Sequence, residues 1–122
     1  MELYAVESGP DLDGYFVLAF APGQARLVDC WARDDDDACW GAVVQLAVAE
    51  AQRRPGVAEL VALASDSRLA DALQRCGFHA RGSRPLYVRV ARGIEPPAQS
   101  VRIQMIDNDS AYLHNGARRY WA

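Results

Sequence analysis

The chain lacks the marks of several protein classes. It has three cysteines and two histidines. Cys30, Cys39 and Cys76 form an odd set without Cys-x-x-Cys spacing, which is no disulfide framework and reads as reduced thiols of a cytosolic protein. Only His79 and His114 could join them, without paired spacing, so no metal is expected. Basic charge is not in excess: 13 Lys plus Arg face 16 Asp plus Glu, a formal net charge of −3. That balance makes no electrostatic case for nucleic acid or an anionic membrane surface. No apolar run approaches the roughly 18 residues of a membrane helix. A basic stretch followed by an apolar one, the order of a secretory signal, is missing at the N-terminus. The expectation is a cytoplasmic protein with no nucleic-acid or membrane partner.

What is present is ordinary globular material. At 122 residues, 51% of them hydrophobic, the chain is expected to be one domain, 1–122, with a polar and aromatic C-terminal tail over 107–122. Tyr15 to Phe20 and Ala25 to Trp31 are β-rich runs around Ala21-Pro22-Gly23-Gln24, a hairpin signal. Leu3 to Glu7 adds an earlier strand, with Gly9 to Gly14 as a loop. After the four aspartates Asp34 to Asp37, the residues Trp40, Val43, Val44, Ala47, Val48 and Ala51 recur with helical spacing on one face. Acidic residues suit the first turn of that helix and Arg53-Arg54 its last, and Pro55-Gly56 ends it. Glu59 to Ala64 reads as a strand, Ser67 to Cys76 as a second helix. Leu86 to Val90 and Val101 to Ile106 read as strands, the latter half-buried because polar and apolar residues alternate. Arg92 to Ser100, with Pro96-Pro97, reads as a loop. The strand–helix–strand crossover requires a parallel pair, giving an α+β domain with a mixed, mostly antiparallel sheet and two helices.

The stretch Leu60 to Phe78 is a short apolar strand, a polar break, and a helix stopping at Cys76-Gly77-Phe78. It resembles the C-terminal half of Gcn5-related N-acetyltransferases, the acyl-CoA N-acyltransferase superfamily, in which such a strand and helix form one wall of the acetyl-CoA cleft. The resemblance extends over roughly Gly14 to Val90. Gln104 to Leu113 is also similar to the closing segment of some bacterial acetyltransferase-like proteins. The family opens with a strand and two short helices that shape the acceptor pocket. Thirteen residues precede Gly14, so the expectation is a truncated or degenerate member lacking those helices.

The resemblance implies acetyl-CoA as cofactor and an amine, on a small molecule or a peptide, as acceptor. Family members hold the CoA pyrophosphate on backbone N–H groups at the start of the long helix, through a Gln/Arg-x-x-Gly-x-Gly/Ala loop. The matching window is Asp36-Asp37-Ala38-Cys39-Trp40-Gly41, of which Gly41 alone fits. Trp31, Ala32, Cys39, Trp40 and Gly41 are the implied cofactor-binding positions at this end of the chain. Asp66 is another, at the family's asparagine position, though the residues themselves favour an N-cap role for Ser65 or Asp66. The family's tyrosine acid falls on Leu73, which donates no proton. Asp29 falls where some relatives carry a catalytic carboxylate, and a strand carboxylate beside Trp31 is shielded in a way that favours proton acceptance. Strand alternation puts Asp29 and Trp31 on one face, Val28 and Cys30 on the other.

His79 reads as a strand-edge or surface residue rather than a catalytic one. Cys76, at a helix C-terminus, is unsuited to nucleophilic attack. Asp109, Tyr112 and His114 are too close in sequence to count as a triad. Arg118-Arg119-Tyr120-Trp121 carries residue types enriched at interfaces, and a homodimer or partner chain would complete a minimal fold with an open flank. A degenerate acetyltransferase fold serving as a non-catalytic binding or regulatory module is the alternative, favoured by the acidic loop and Leu73.

Overall fold

The computed structural model describes residues 1–34, 36–83, 85, 87, 89–95 and 102–107. Their order is β1 (Glu2–Ser8), β2 (Asp11–Ala21), β3 (Gln24–Ala32), α1 (Asp37–Gln52), β4 (Glu59–Ala62) and α2 (Ser67–Arg75), with a single 3₁₀ turn at Met105–Asp107. The four strands form one sheet in the order β1-β2-β3-β4, antiparallel except for the parallel β3–β4 pair. The fold is therefore α+β with a mixed four-stranded sheet and two helices. None of the helices among the described residues is long and apolar enough to cross a membrane.

Each element follows from local chemistry. Pro22 presets its own φ and Gly23 takes φ +78°, closing the β2–β3 hairpin from Ala21 to Gln24. The Gly23 carbonyl then accepts the N–H of Ala58 at 2.8 Å, which starts β4 beside the beginning of β3. Helix α1 buries Trp40, Val43, Val44, Ala47 and Ala51 against the sheet, as their spacing requires. Helix α2 adds Leu69, Ala72 and Leu73 to the same core. Gly14 is obligatory for this packing. A Cβ there would stand 2.5 Å from the Trp31 carbonyl oxygen and 2.7 Å from Val43 Cγ2.

The sheet has two covered faces. The helix side holds Phe16, Leu18, Leu27, Cys30 and Ala32 beneath α1 and α2. The opposite side holds a smaller cluster of Val17, Ala19, Val28 and Met105, flanked by Tyr15, Val61 and Leu63.

Several expectations are corrected. Strand β2 begins at Asp11, so the segment expected as a loop to Gly14 is a turn at Gly9-Pro10 followed by strand. Strand β4 ends at Ala62 rather than Ala64. Arg53 caps α1 and Arg54 lies beyond it, where they pair with Glu50 and Glu2 instead of filling the last turn.

The face assignment of β3 also changes. The β2–β3 register shifts between Val17 and Leu18, a bulge that leaves Val28 without a cross-strand partner. Beyond it the alternation inverts: Val28 joins the outer cluster while Cys30 stays in the helix-side core.

The half-buried strand expected over Val101 to Ile106 is absent from its described residues. Gln104 N–H bonds Asp107 Oδ2 at 2.8 Å and Asp107 N–H bonds the Gln104 carbonyl at 3.2 Å, which curls the chain into the 3₁₀ turn. Tyr87, Arg89 and Val90 carry no strand, while Leu86 and Val88 lie outside the described residues. The tail from 108 to 122, with Asp109, Tyr112, His114 and the aromatic terminus, lies outside them too.

Candidate functional site

The parallel pair positions the site. Pairing of β3 with β4 ends at Leu27 and Ala62. Beyond that point β4 leaves the sheet, while β3 runs on to Ala32 and feeds α1. Both helices therefore begin at the same end of the sheet, outside the carboxyl ends of two parallel strands. In open α/β sheets that is where a crevice forms, and helix N-termini present free N–H groups and positive dipole ends there.

Each helix start is capped by an aspartate. Asp36 Oδ1 accepts the Cys39 N–H at 2.7 Å, and that bond holds the Asp36 carboxyl below the usual carboxylate range. Asp66 Oδ1 accepts Arg68 N–H at 2.9 Å and Leu69 N–H at 3.3 Å. Its other oxygen receives Arg102 at 3.1 Å. Partial burial pushes Asp66 up, but the Leu69 N–H and the Arg102 guanidinium outweigh it and the net shift is downward.

Asp66→Ala is expected to cost about 1 kcal/mol as a lost N-cap. Because its folded pKa is depressed, that contribution is complete at neutral pH. It fades only as pH falls below the ordinary aspartate value of about 3.9 through the lower folded one. Urea titrations of both proteins at neutral and strongly acidic pH check this: the gap between them should close in acid.

The residues singled out in the sequence fall into three places. Asp29 and Trp31 lie on the sheet face away from the helices. There the Tyr15 hydroxyl donates to Asp29 Oδ2 at 2.8 Å and the Tyr15 ring stacks near Trp31 at 6.3 Å. Burial, reinforced by the Asp29 carboxylate, pushes the Tyr15 hydroxyl up to about 12, so it stays a proton donor. Trp40 and Ala32 are core residues, at 0% and 3% exposure, and offer a ligand no side-chain surface.

Cys39 and Gly41 lie on the outer part of the first turns of α1. Nothing lies within 4 Å of where a Gly41 side chain would begin, which leaves the helix backbone open to approach. Cys39 donates weakly to Asp36, and burial followed by that carboxylate raises its thiol. Donor atoms of Asp34, Asp36 and Cys39 lie within 4.8 Å of one another, but Asp36 is already engaged in capping α1.

Leu73, at the tyrosine position, is packed into the core with Leu69 and Ala72. The Cys76 thiol is raised by burial.

Sequence reasoning missed three residues. Tyr15 was read only as part of a hairpin, yet it is the hydrogen-bond partner of Asp29. Arg102 places its guanidinium 4.9 Å from the centre of the Trp40 ring while bonding Asp66. Gln104, only 6% exposed, holds the Cys30 peptide. The alternating pattern around Gln104 pointed to a half-buried strand with Gln104 on its polar side, so its buried bonding role was not legible. Two open depressions among the described residues lie elsewhere, at the β2–β3 turn with Arg54 and Val57, and between Tyr4, Phe16 and Leu46.

Comparison with protein-family models, with curated proteins and with solved structures finds no match to this chain. A functional reading therefore rests on the geometry and on the residues that carry the acetyltransferase resemblance.

Proposed function

We propose that the chain is an acyl-CoA-dependent N-acetyltransferase of the Gcn5-related type, transferring an acetyl group to an amine. A second copy or a partner chain would complete the acceptor side. The observation that carries the reading is the early end of the β3–β4 pair with both helix N-termini at its mouth. The divergence marks a path through the sheet, from the start of α1 on one face to Asp29 and Tyr15 on the other, which residues 102–107 fill in this structure. With that segment displaced, an extended acyl-CoA would follow this path with its pyrophosphate near the backbone of Cys39 to Gly41 and its thioester toward Asp29.

In the reaction the amine nitrogen attacks the thioester carbonyl carbon. The C–N bond forms, the C–S bond breaks, and the CoA thiolate leaves. Asp29, oriented by the Tyr15 hydroxyl, accepts the proton the amine loses. Leu73 offers no acid, so the thiolate takes its proton from water.

Titration with acetyl-CoA tests the reading. Saturable heat and a raised Tm with millimolar ligand are expected. In an amine panel followed by thiol release, Asp29→Asn should lower kcat by about 10²–10⁴-fold with acetyl-CoA affinity unchanged. Equal turnover by Asp29→Asn would remove it as the base.

A specific observation also favours a binding module without chemistry: the Asp36 carboxylate occupies the Cys39 N–H at the start of α1 where a diphosphate would bind, and its charge repels one. That alternative predicts no acetyl-CoA binding at all.

A further inference from the structure

Residues 102–107 pass through the divergence between β3 and β4. On the helix side, Arg102 covers the Trp40 ring and pairs with Asp66. In the gap itself, Ser65 N–H bonds the Ile103 carbonyl at 3.3 Å and Ile103 N–H bonds Ser65 Oγ at 2.6 Å. On the far face, Met105, 7% exposed, packs with Val17, Ala19 and Val28. The segment thus runs from the α2 side of the sheet to the side of Asp29, along the path described above.

At its centre is an amide pair. Cys30, opposite Phe16 in the β2–β3 register, turns its N–H and its carbonyl away from β2 toward the edge that β4 no longer covers. Gln104 Oε1 accepts that N–H at 2.9 Å and Gln104 Nε2 donates to that carbonyl at 2.7 Å. One side-chain carboxamide thereby satisfies both buried groups, as the backbone of a fifth strand would. The rest of the segment does not continue the ladder, because the Asp107 contact curls it away at Met105.

The geometry points to residues 102–107 as an intrasteric strap. The Gln104 carboxamide holds, on the Cys30 peptide, the position an amide of an extended ligand would take, and the strap must leave before that ligand binds. This inference rests on the acyl-CoA reading, since the arm of acyl-CoA is an extended chain bearing amides. Its polar anchors include the amide pair, the serine pair and a partly exposed ion pair, beside the apolar seat of Met105. Each is a contact that a competing chain can replace.

The test compares acetyl-CoA titrations of the wild-type chain, Gln104→Ala and Arg102→Gln, with backbone amide exchange read at Cys30. The expected result is at least tenfold tighter binding by Gln104→Ala and a smaller gain for Arg102→Gln. The Cys30 amide should exchange faster in free Gln104→Ala and regain protection when ligand is added. Arg102 is exposed, so Arg102→Gln carries the test alone if Gln104→Ala fails to fold. Equal affinity in all three proteins would overturn the strap and leave the acyl-CoA reading standing. Weaker binding by the variants would make Gln104 part of the ligand site and overturn the strap as well. No binding by any of them would remove the acyl-CoA reading and the strap together.

Discussion

Trp40→Ala is expected to destabilise the domain by about 3–5 kcal/mol, the usual cost of deleting a buried aromatic. Trp40 is fully buried and is the largest such side chain among the described residues. It belongs to the buried cluster that α1 shares with the sheet and with Leu69 and Leu73 of α2, and Arg102 lies over its ring. Domains of this size have only about 5–15 kcal/mol in total. The variant should therefore unfold at a much lower urea midpoint, while Trp40→Phe retains most of the stability. A loss below about 1 kcal/mol would mean that the ring is not at the centre of the core. The sequence resemblance placed Trp40 among cofactor-binding positions, but its buried side chain predicts a change in stability rather than a direct loss of ligand contact.

Gly14→Ala is the second large effect. Its Cβ would meet the backbone oxygen of Trp31 at 2.5 Å and the Val43 methyl at 2.7 Å. The first of these is main chain and yields only if β3 moves against β2. Overpacking of this kind costs about 1–3 kcal/mol. The displaced residues would include Trp31 and its neighbours, so on the proposed acyl-CoA reading the affinity for acetyl-CoA should fall along with stability. Gly41→Ala makes the contrast, because nothing lies within 4 Å of its added methyl. There the helix should gain about 0.5–1 kcal/mol from the loss of glycine's chain freedom. Thermal melts of the two variants should thus move in opposite directions, and a Gly14→Ala protein as stable as wild type would contradict the β2–β3–α1 packing.

The elements were legible in the sequence wherever one periodicity ran without interruption. The face of α1 from Trp40 to Ala51 and the Pro22-Gly23 hairpin both stand where pattern and turn chemistry put them. The mixed sheet follows from the single crossover between β3 and β4. What the pattern could not carry was the bulge. Counting outward from the turn places Tyr15 opposite Cys30, whereas the extra residue at Val28 brings it opposite Trp31. That one-residue shift creates the Tyr15–Asp29 pair, and no local residue type announces it, since Val28 suits a regular strand equally well.

Residues 102–107 failed for a different reason. Their alternation puts Gln104 on the exposed side with Arg102, yet Gln104 and Met105 are both buried, because the Gln104 carboxamide takes the place of a backbone ladder on Cys30. The cap of α2 was legible as Ser65 or Asp66 and the structure selects Asp66, whereas the choice of Asp36 among the four aspartates before α1 comes from geometry alone.

The acyl-CoA reading is tested most directly by calorimetric titration of acetyl-CoA into the wild-type chain and into Gln104→Ala. Saturable binding to both, tighter in the variant, is the predicted result. The absence of heat from either protein at millimolar acetyl-CoA, with no rise in Tm, would contradict it and leave a binding module that does not use CoA.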